Sequence, residues 1–395
     1  MTALSHTTPF TPEGPVALRG ALDAERTPRG LRPHRLPPQA RERMPDVYLA
    51  IAEAQTSGVR LAFRTRATTV ELDTLPTKTV YEGAPEGPDG LYDLLVDGAL
   101  TAQASVSGGD VVTLDMVTGS TGRSPGRPGT ARFTGLPARE KTVEIWLPQG
   151  EGTELLALRT DAPVSAPPPT ARRHWLHHGS SISHGTQADS PTGTWPAVAA
   201  ARAGVELTNL GFGGNALLDP FTARAVRDAE ADLISLKIGI NLVNTDVMRL
   251  RALGPALEGF LDTVREGRPR TPILLVTPVV CPIVEHTPGP TAPDFDGPGL
   301  RFLALGDPAD VPGGRLTLTM VREELSRVAA RRAATDPRLH LLDGRLLYGE
   351  DDLATLPLPD QLHPDSAGHR RMGERFARLA FRDGPFGPPG PRGPA

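Results

Sequence analysis

A proline-rich stretch, Asp161-Ala162-Pro163-Val164-Ser165-Ala166-Pro167-Pro168-Pro169-Thr170, divides this chain of 395 residues into two regions of different periodicity. Before it, short apolar runs alternate with Gly/Pro turns: residues 59–65, 69–72, 91–96, 111–114 and 142–147. Several repeat every second residue, the mark of strands with one buried face, and no long helical pattern interrupts them. Many short strands of this kind predict a β-sandwich or jelly roll. After it, strand-like runs at 174–178, 205–209, 233–238, 273–276 and 339–342 alternate with helical patterns. The clearest helix puts Leu318, Val321, Leu325 and Val328 on one stripe with Arg322, Glu323, Glu324 and Arg327 facing out. Others cover 195–203, 247–264 and 366–381. Alternating β and α predicts a three-layer α/β/α domain, a parallel sheet between helices with functional loops at the carboxyl ends of the strands.

The domain reading is therefore residues 1–14 disordered, 15–160 an all-β sandwich or jelly-roll accessory domain, 161–173 a stiff linker that joins no sheet, 174–383 the α/β domain, and 384–395 a disordered Gly/Pro tail. A chain of this length exceeds what one hydrophobic core usually organises, so two domains are expected. The formal net charge of −4 gives no basic footprint for nucleic acid, and no apolar run reaches the length of a membrane span. Residues 1–10 carry neither a basic nor an apolar leader segment, which points to the cytoplasm. The single cysteine, Cys281, cannot form an internal disulfide. It follows a buried strand pattern and reads as a core residue.

Four short segments of the second region carry chemistry: Gly179-Ser180-Ser181-Ile182-Ser183-His184-Gly185, Asn209-Leu210-Gly211-Phe212-Gly213-Gly214-Asn215, Gly239-Ile240-Asn241 and Asp360-Gln361-Leu362-His363. Ser181 sits in a glycine-flanked turn straight after the first strand, exposed as a nucleophile must be. Its hydroxyl needs a base, and the base needs an acceptor on its other ring nitrogen. Asp360 and His363, three apart on one helical turn, are expected to share a face and to supply both. A tetrahedral intermediate further needs donors aimed at the oxyanion. The main chain at Gly213 and Gly214, the Asn241 side-chain amide and the Ser181 N–H are candidates. His177, His178 and His184 crowd the nucleophile, but adjacent strand histidines point to opposite faces, so structural roles are expected rather than a metal site. The Gly/Pro-rich stretch 288–314 is too long for a plain connection and reads as a substrate-shaping lid or an insertion.

In this order the segments resemble the blocks of the SGNH, or GDSL-type, hydrolase superfamily: G-D-S-[LI], a glycine after N-x-x-x-x, G-x-N-D and D-x-x-H. The resemblance covers residues 174 to about 381. It implies Ser181 as nucleophile, Asp360 and His363 as acid and base, and Ser181, Gly214 and Asn241 as the oxyanion hole. Ser180 stands where the pattern has the Asp of G-D-S, and Leu242 where it has the Asp of G-x-N-D; neither change removes a chemical role. Some members carry an N-terminal jelly roll, the sugar-deacetylating carbohydrate esterases among them, and residues 90–94 and 285–291 resemble bacterial two-domain GDSL-like lipases.

The expected function is a cofactor- and metal-independent serine esterase that removes a short acyl group, such as acetyl, from a sugar or small metabolite. Its partner is a small-molecule or carbohydrate ester; no nucleic acid, membrane or partner protein is expected. An acyltransferase of secondary metabolism would use the same triad. A non-catalytic carbohydrate- or partner-binding protein is the third possibility, and intact triad residues argue against it.

Overall fold

The computed structural model describes residues 4–11, 13–83, 86–115, 118–294 and 299–387. Two compact units emerge: residues 1–171 with 189–192, and residues 172–188 with 193–395.

The first unit is a β-sandwich. One sheet runs in the order Thr121–Ser124, Asp110–Leu114, Val70–Tyr81, Gly152–Thr160, Leu31–His34 and Asp23–Arg26, with His6–Thr8 and Gly129–Phe133 pairing onto its two central strands. The other runs Val164–Ser165, Arg60–Thr65, Lys141–Trp146, Leu91–Val96 and Ala99–Ser105, with Ala17–Arg19 added to Arg60–Thr65. Their inward faces bury Leu61, Phe63, Tyr92, Leu94, Val143 and Ile145 against Val70, Leu72, Phe133, Leu155 and Leu158. Alternation along each strand dictates this division. Asp93 points the other way from Leu94 yet is also sealed from water. It is satisfied by Gln103 Nε2 at 2.7 Å, Ser190 Oγ at 2.7 Å, and Thr192 N and Oγ1 at 3.0 and 2.6 Å.

Three expectations at the margins are corrected. Residues 1–14 are not a disordered leader throughout, because His6–Thr8 pairs antiparallel with Leu158 to Thr160 and Phe10 is buried. The linker begins later than 161: Val164 and Ser165 pair with Thr65 and Arg64, and Asp161 accepts from the main chain of Thr68 and Thr69. The C-terminal tail is not free of packing, since Phe386 is fully buried against Phe381 and its carbonyl accepts from Arg173. Residues 388–395 of that tail lie outside the described residues. A helix the sequence reading passes over, Val47–Ala54, starts at Asp46, whose carboxylate accepts from Leu49 N at 2.9 Å.

The second unit is the three-layer fold. Five parallel strands lie in the order Glu206–Gly211, His174–Gly179, Leu233–Lys237, Ile273–Val276, Leu339–Leu342. Helices Trp195–Ala203 and Ser366–Phe376 pack together, while Pro220–Asp228, Leu250–Gly267 and Leu318–Arg332 form a second packed set. The chain winds outward in both directions from His174–Gly179, so that strand's carboxyl end is the switch point where an open α/β sheet leaves a crevice. Ser181 follows it directly. The expected last helix narrows: α-helix ends at Phe376 and a wider turn, Ala377–Arg382, continues it. Among the described residues no helix is long and apolar enough to cross a membrane.

Trp175 anchors one face of the sheet. Its ring stacks on Phe376 at 5.1 Å, meets Trp195 and Phe381, and donates Nε1–H to Ser235 Oγ at 2.8 Å. Removing so large a buried ring leaves a cavity. Trp175→Ala should lower the unfolding free energy of this unit by roughly 3–5 kcal/mol in chemical denaturation followed by far-ultraviolet circular dichroism.

Candidate active site

The Ser181 turn is seated by its neighbours in the sheet. Ser181 opens a single helical turn, Ser181–His184, that ends at Gly185. Ser183, on the same turn, is gripped from two strands: His177 Nε2 lies 2.7 Å from its hydroxyl, and Asn209 Nδ2 donates to its carbonyl at 2.8 Å. Gly211 makes that approach possible, because a Cβ there would fall 2.4 Å from His184 N. His177 is itself held by Ser235 Oγ at 2.7 Å. Burial, aided by the positive neighbourhood of His178 and Lys237, pushes the His177 imidazolium well below the ordinary histidine range, so His177 is a neutral strut. His178 points to the opposite face, with its ring against Phe260 and Nδ1 on Leu210 O, and burial lowers it to about 4. The two histidines thus behave as strand alternation predicts. Among the described residues no cluster of His, Cys, Asp or Glu is arranged to hold a metal ion.

The loop after Leu339–Leu342 brings Asp360 and His363 to Ser181. His363 Nε2 lies 2.8 Å from Ser181 Oγ, 182 positions away in sequence, and its Nδ1 lies 2.7 Å from Asp360 Oδ2. The expected helical turn at 360–363 is absent. Gln361 adopts a left-handed conformation, φ +67°, and the resulting bend turns the N–H groups of Leu362 and His363 onto Asp360 Oδ1 at 2.9 and 2.7 Å. Asp360 is 2 % exposed and His363 5 %. Burial alone would raise the Asp360 carboxyl, but His363 and these two main-chain donors outweigh it and hold it below the usual carboxylate range. The acid is therefore ionised and its hydrogen bond to Nδ1 leaves Nε2 as the acceptor facing Ser181.

The other two segments lie beside the serine. A Cβ on Gly213 would stand 3.8 Å from that of Ser181, and Gly214 adopts φ +73°, which glycine tolerates best. Asn241 lies in the short helix Ile240–Asn244 after the third strand in sequence, with Oδ1 accepting from Ala216 N at 3.0 Å. That bond ties the third segment to the second and leaves Nδ2 as the free end of the amide. Among the described residues, the N–H of Ser181, the N–H of Gly214 and Asn241 Nδ2 donate to no protein acceptor.

Two contacts were not foreseen from the sequence. Gln187 Nε2 reaches Asp360 Oδ2 at 3.5 Å. Phe302, in a hairpin built from Thr291–Asp294 and Arg301–Ala304, meets the His363 ring edge-on at 5.7 Å. This hairpin occupies the long 288–314 stretch; residues 295–298 lie outside the described residues. Cys281 is buried with its Sγ 3.5 Å from Gln361 O, and burial raises its thiol to about 12, so it is a protonated packing residue.

Comparison with known proteins gives a consistent family. Residues 178–371 match the family model described as GDSL-like lipase/acylhydrolase. The salicylyl-acyltransferase SsfX3 from a tetracycline biosynthetic pathway is 30 % identical, with 94 % of this chain aligned to 95 % of that one and a TM-score of 0.77. A GDSL-like lipase from Bacteroides ovatus is similar at 18 % identity, over 92 % and 94 % of the two chains, with a TM-score of 0.66. A family two carbohydrate esterase from Clostridium thermocellum shares the fold at 13 % identity, over 82 % and 91 %, with a TM-score of 0.55. None of the curated proteins shows a significant match.

Lys237 ends the strand that leads to Asn241, is 2 % exposed, and has no hydrogen-bond or ion-pair partner among the described residues. Burial, then repulsion from Arg322, lowers its ammonium to about 8. The folded protein thus releases this proton at lower pH than the unfolded chain, whose lysines titrate near 10.4. Below about pH 8 the full penalty of burying the charge is present, and stability recovers as pH rises towards about 10.4. Lys237→Met should therefore stabilise the fold at pH 7, by on the order of 3 kcal/mol at most, and that gain should shrink between pH 8 and 10.5 in urea titrations.

Proposed function

Since the chain belongs to the GDSL-like lipase/acylhydrolase family, we propose that it is a serine esterase acting through an acyl-enzyme on Ser181. The observation that carries this reading is the unbroken relay from Asp360 Oδ2 through the His363 ring to Ser181 Oγ, 2.7 and 2.8 Å at its two links.

In the first half-reaction His363 Nε2 takes the Ser181 proton as Oγ attacks the ester carbonyl carbon. Asp360 keeps Nδ1 protonated and stabilises the imidazolium. The carbonyl oxygen becomes the oxyanion, met by the N–H groups of Ser181 and Gly214 and by Asn241 Nδ2. Collapse of the intermediate breaks the bond to the alkoxy oxygen, and His363 gives it the proton, so the alcohol leaves. In the second half-reaction water loses a proton to Nε2 and adds to the acyl carbon. The acid departs and Ser181 regains its proton. No cofactor enters any step.

The substrate is a carboxylic ester of a small molecule with a short acyl group. The likeness to carbohydrate esterases extends to the fold and supplies no alcohol. A second reading, acyl transfer, is favoured by the 30 % identity over nearly the whole chain to an acyltransferase. It uses the same acyl-enzyme, with an alcohol or amine replacing water in the second half-reaction.

Intact-mass labelling with an organophosphonate, run beside p-nitrophenyl acetate hydrolysis, tests the assignment. One adduct and acetate release are expected, and both should vanish in Ser181→Ala. Well-folded protein that takes no adduct would overturn it. Asn241→Ala should lower kcat by roughly a hundredfold or more by removing one oxyanion donor. An added alcohol that captures the acetyl group faster than water would decide for transfer.

A further inference from the structure

We infer that Phe302 forms the alcohol-side subsite of this enzyme and selects esters whose alcohol portion is an uncharged, aromatic or otherwise ring-bearing apolar group. The inference rests on the serine esterase reading and adds to it the class of alcohol.

The hairpin is tied to the triad by one main-chain bond, from Phe302 N–H to the carbonyl of Asp360 at 2.9 Å, and its base is closed by Leu305 N–H donating to Pro290 O at 2.8 Å. The anchored strand then lays the Phe302 ring against the His363 imidazole, centroids 5.7 Å apart and planes at 74°. In the reaction above, that imidazole gives its proton to the alkoxy oxygen or takes one from the incoming alcohol. The oxyanion donors, Gly214 and Asn241, follow the two strands that flank His174–Gly179, whereas His363 follows Leu339–Leu342 at the far edge of the sheet. A group packed on the His363 ring therefore borders the alcohol portion of the ester and not its carbonyl oxygen.

The chemistry of the hairpin face follows from its register. Residues directly opposite in an antiparallel pair share a face, and successive residues alternate. Phe302 faces Pro293, and Ala304 faces Thr291, so the side that carries Phe302 holds no charge. The charges are on the other side, where Arg301 and Asp294 pair with each other at 3.0 Å. A polyhydroxylated alcohol set against Phe302, Pro293 and Ala304 would bury hydroxyls with the Thr291 side chain as the one polar group on that face. An aromatic alcohol instead gains ring contact with Phe302.

Two acetates with alkoxide leaving groups of similar basicity, benzyl acetate and 2-methoxyethyl acetate, separate alcohol recognition from chemistry. The wild type should favour benzyl acetate by roughly ten- to a hundredfold in kcat/KM. Phe302→Leu, which keeps an apolar side chain but loses the ring, and Phe302→Ala should both collapse that ratio, while Phe302→Tyr should retain most of it. The ratio of benzyl butyrate to benzyl acetate, which reads the acyl side, should stay within about twofold of wild type in all three. A wild type that cleaves both acetates without preference, or variants that shift the acyl ratio instead of the alcohol ratio, would overturn the subsite. Absence of turnover on every ester, together with no phosphonate adduct, would overturn the esterase reading itself and the subsite with it.

Discussion

Burying an ionised carboxylate is the constraint around which the second unit is arranged. Asp360 is nearly sealed from water, and such a charge is tolerated only where donors replace the lost hydration. Two come from the bend that Gln361 makes possible, a third from His363 Nδ1, and Gln187 stands at the edge of hydrogen-bond reach. The main chain of the same bend is held by other parts of the fold. Phe302 binds the Asp360 carbonyl, Cys281 packs under Gln361 O, and Arg322 clamps the segment that bears Cys281 through Glu285 and the carbonyls of Pro278 and Val279. Glu285 in turn accepts from Cys281 N at 3.0 Å. The buried Asp360–His363 pair is thereby held by elements from separate parts of the sequence.

The same economy operates under Ser181. Ser181 itself is held by little beyond its helical turn and His363. Ser183, one side chain away, takes the grip of His177 and Asn209. Fixing a neighbour leaves the Ser181 hydroxyl facing His363 Nε2. His177 can serve as such a strut because burial keeps it uncharged; an imidazolium at that place would set a positive charge against a hydroxyl with no counter-ion. One histidine of the unit thus supports the Ser181 turn, and another, His363, is aligned by a carboxylate against the Ser181 hydroxyl.

Much of this was legible in the sequence, and the gaps have physical causes. The five parallel strands follow the strand-like runs closely: Ile273–Val276 is wholly apolar, and the polar residues His177, His178, Asn209, Ser235 and Lys237 that interrupt the other runs are buried along with their apolar neighbours. The central sandwich strand Gly152–Thr160 escaped notice: a bulge between Leu155 and Ala157 breaks its register, so the core residues Leu155 and Leu158 are three apart and the period of two is lost. The triad residues were readable as residue types at spacings. The bend at 360–363 was not, since a left-handed glutamine carries no local signal and is imposed by the demand of the Asp360 carboxylate. Phe302 and Gln187 were invisible for another reason: their neighbours lie 61 and 173 positions away, and nothing in a single sequence pairs them. The order at His6–Thr8 and at Phe386 shows how little apolar surface is needed to recruit a terminal segment once a strand edge or an aromatic cluster is waiting for it.

Both places where this chain departs from the family's carboxylates lie in the buried interior. Ser180 and Leu242 are both fully buried, and the Ser180 hydroxyl has no hydrogen-bond partner among the described residues. A carboxylate at either position would need its own set of donors, in a region where main-chain and side-chain donors already serve Asp360 and Ser183. Replacing one acid by a small hydroxyl and the other by a leucine removes that demand while leaving the N–H of Ser181 and the amide of Asn241 in place. Asn209 and His177 hold the Ser181 turn through neutral bonds to Ser183. The geometry of the Asp360–His363–Ser181 contacts is therefore separable from the acidic residues that accompany it elsewhere in the family, and this chain keeps the first without the second.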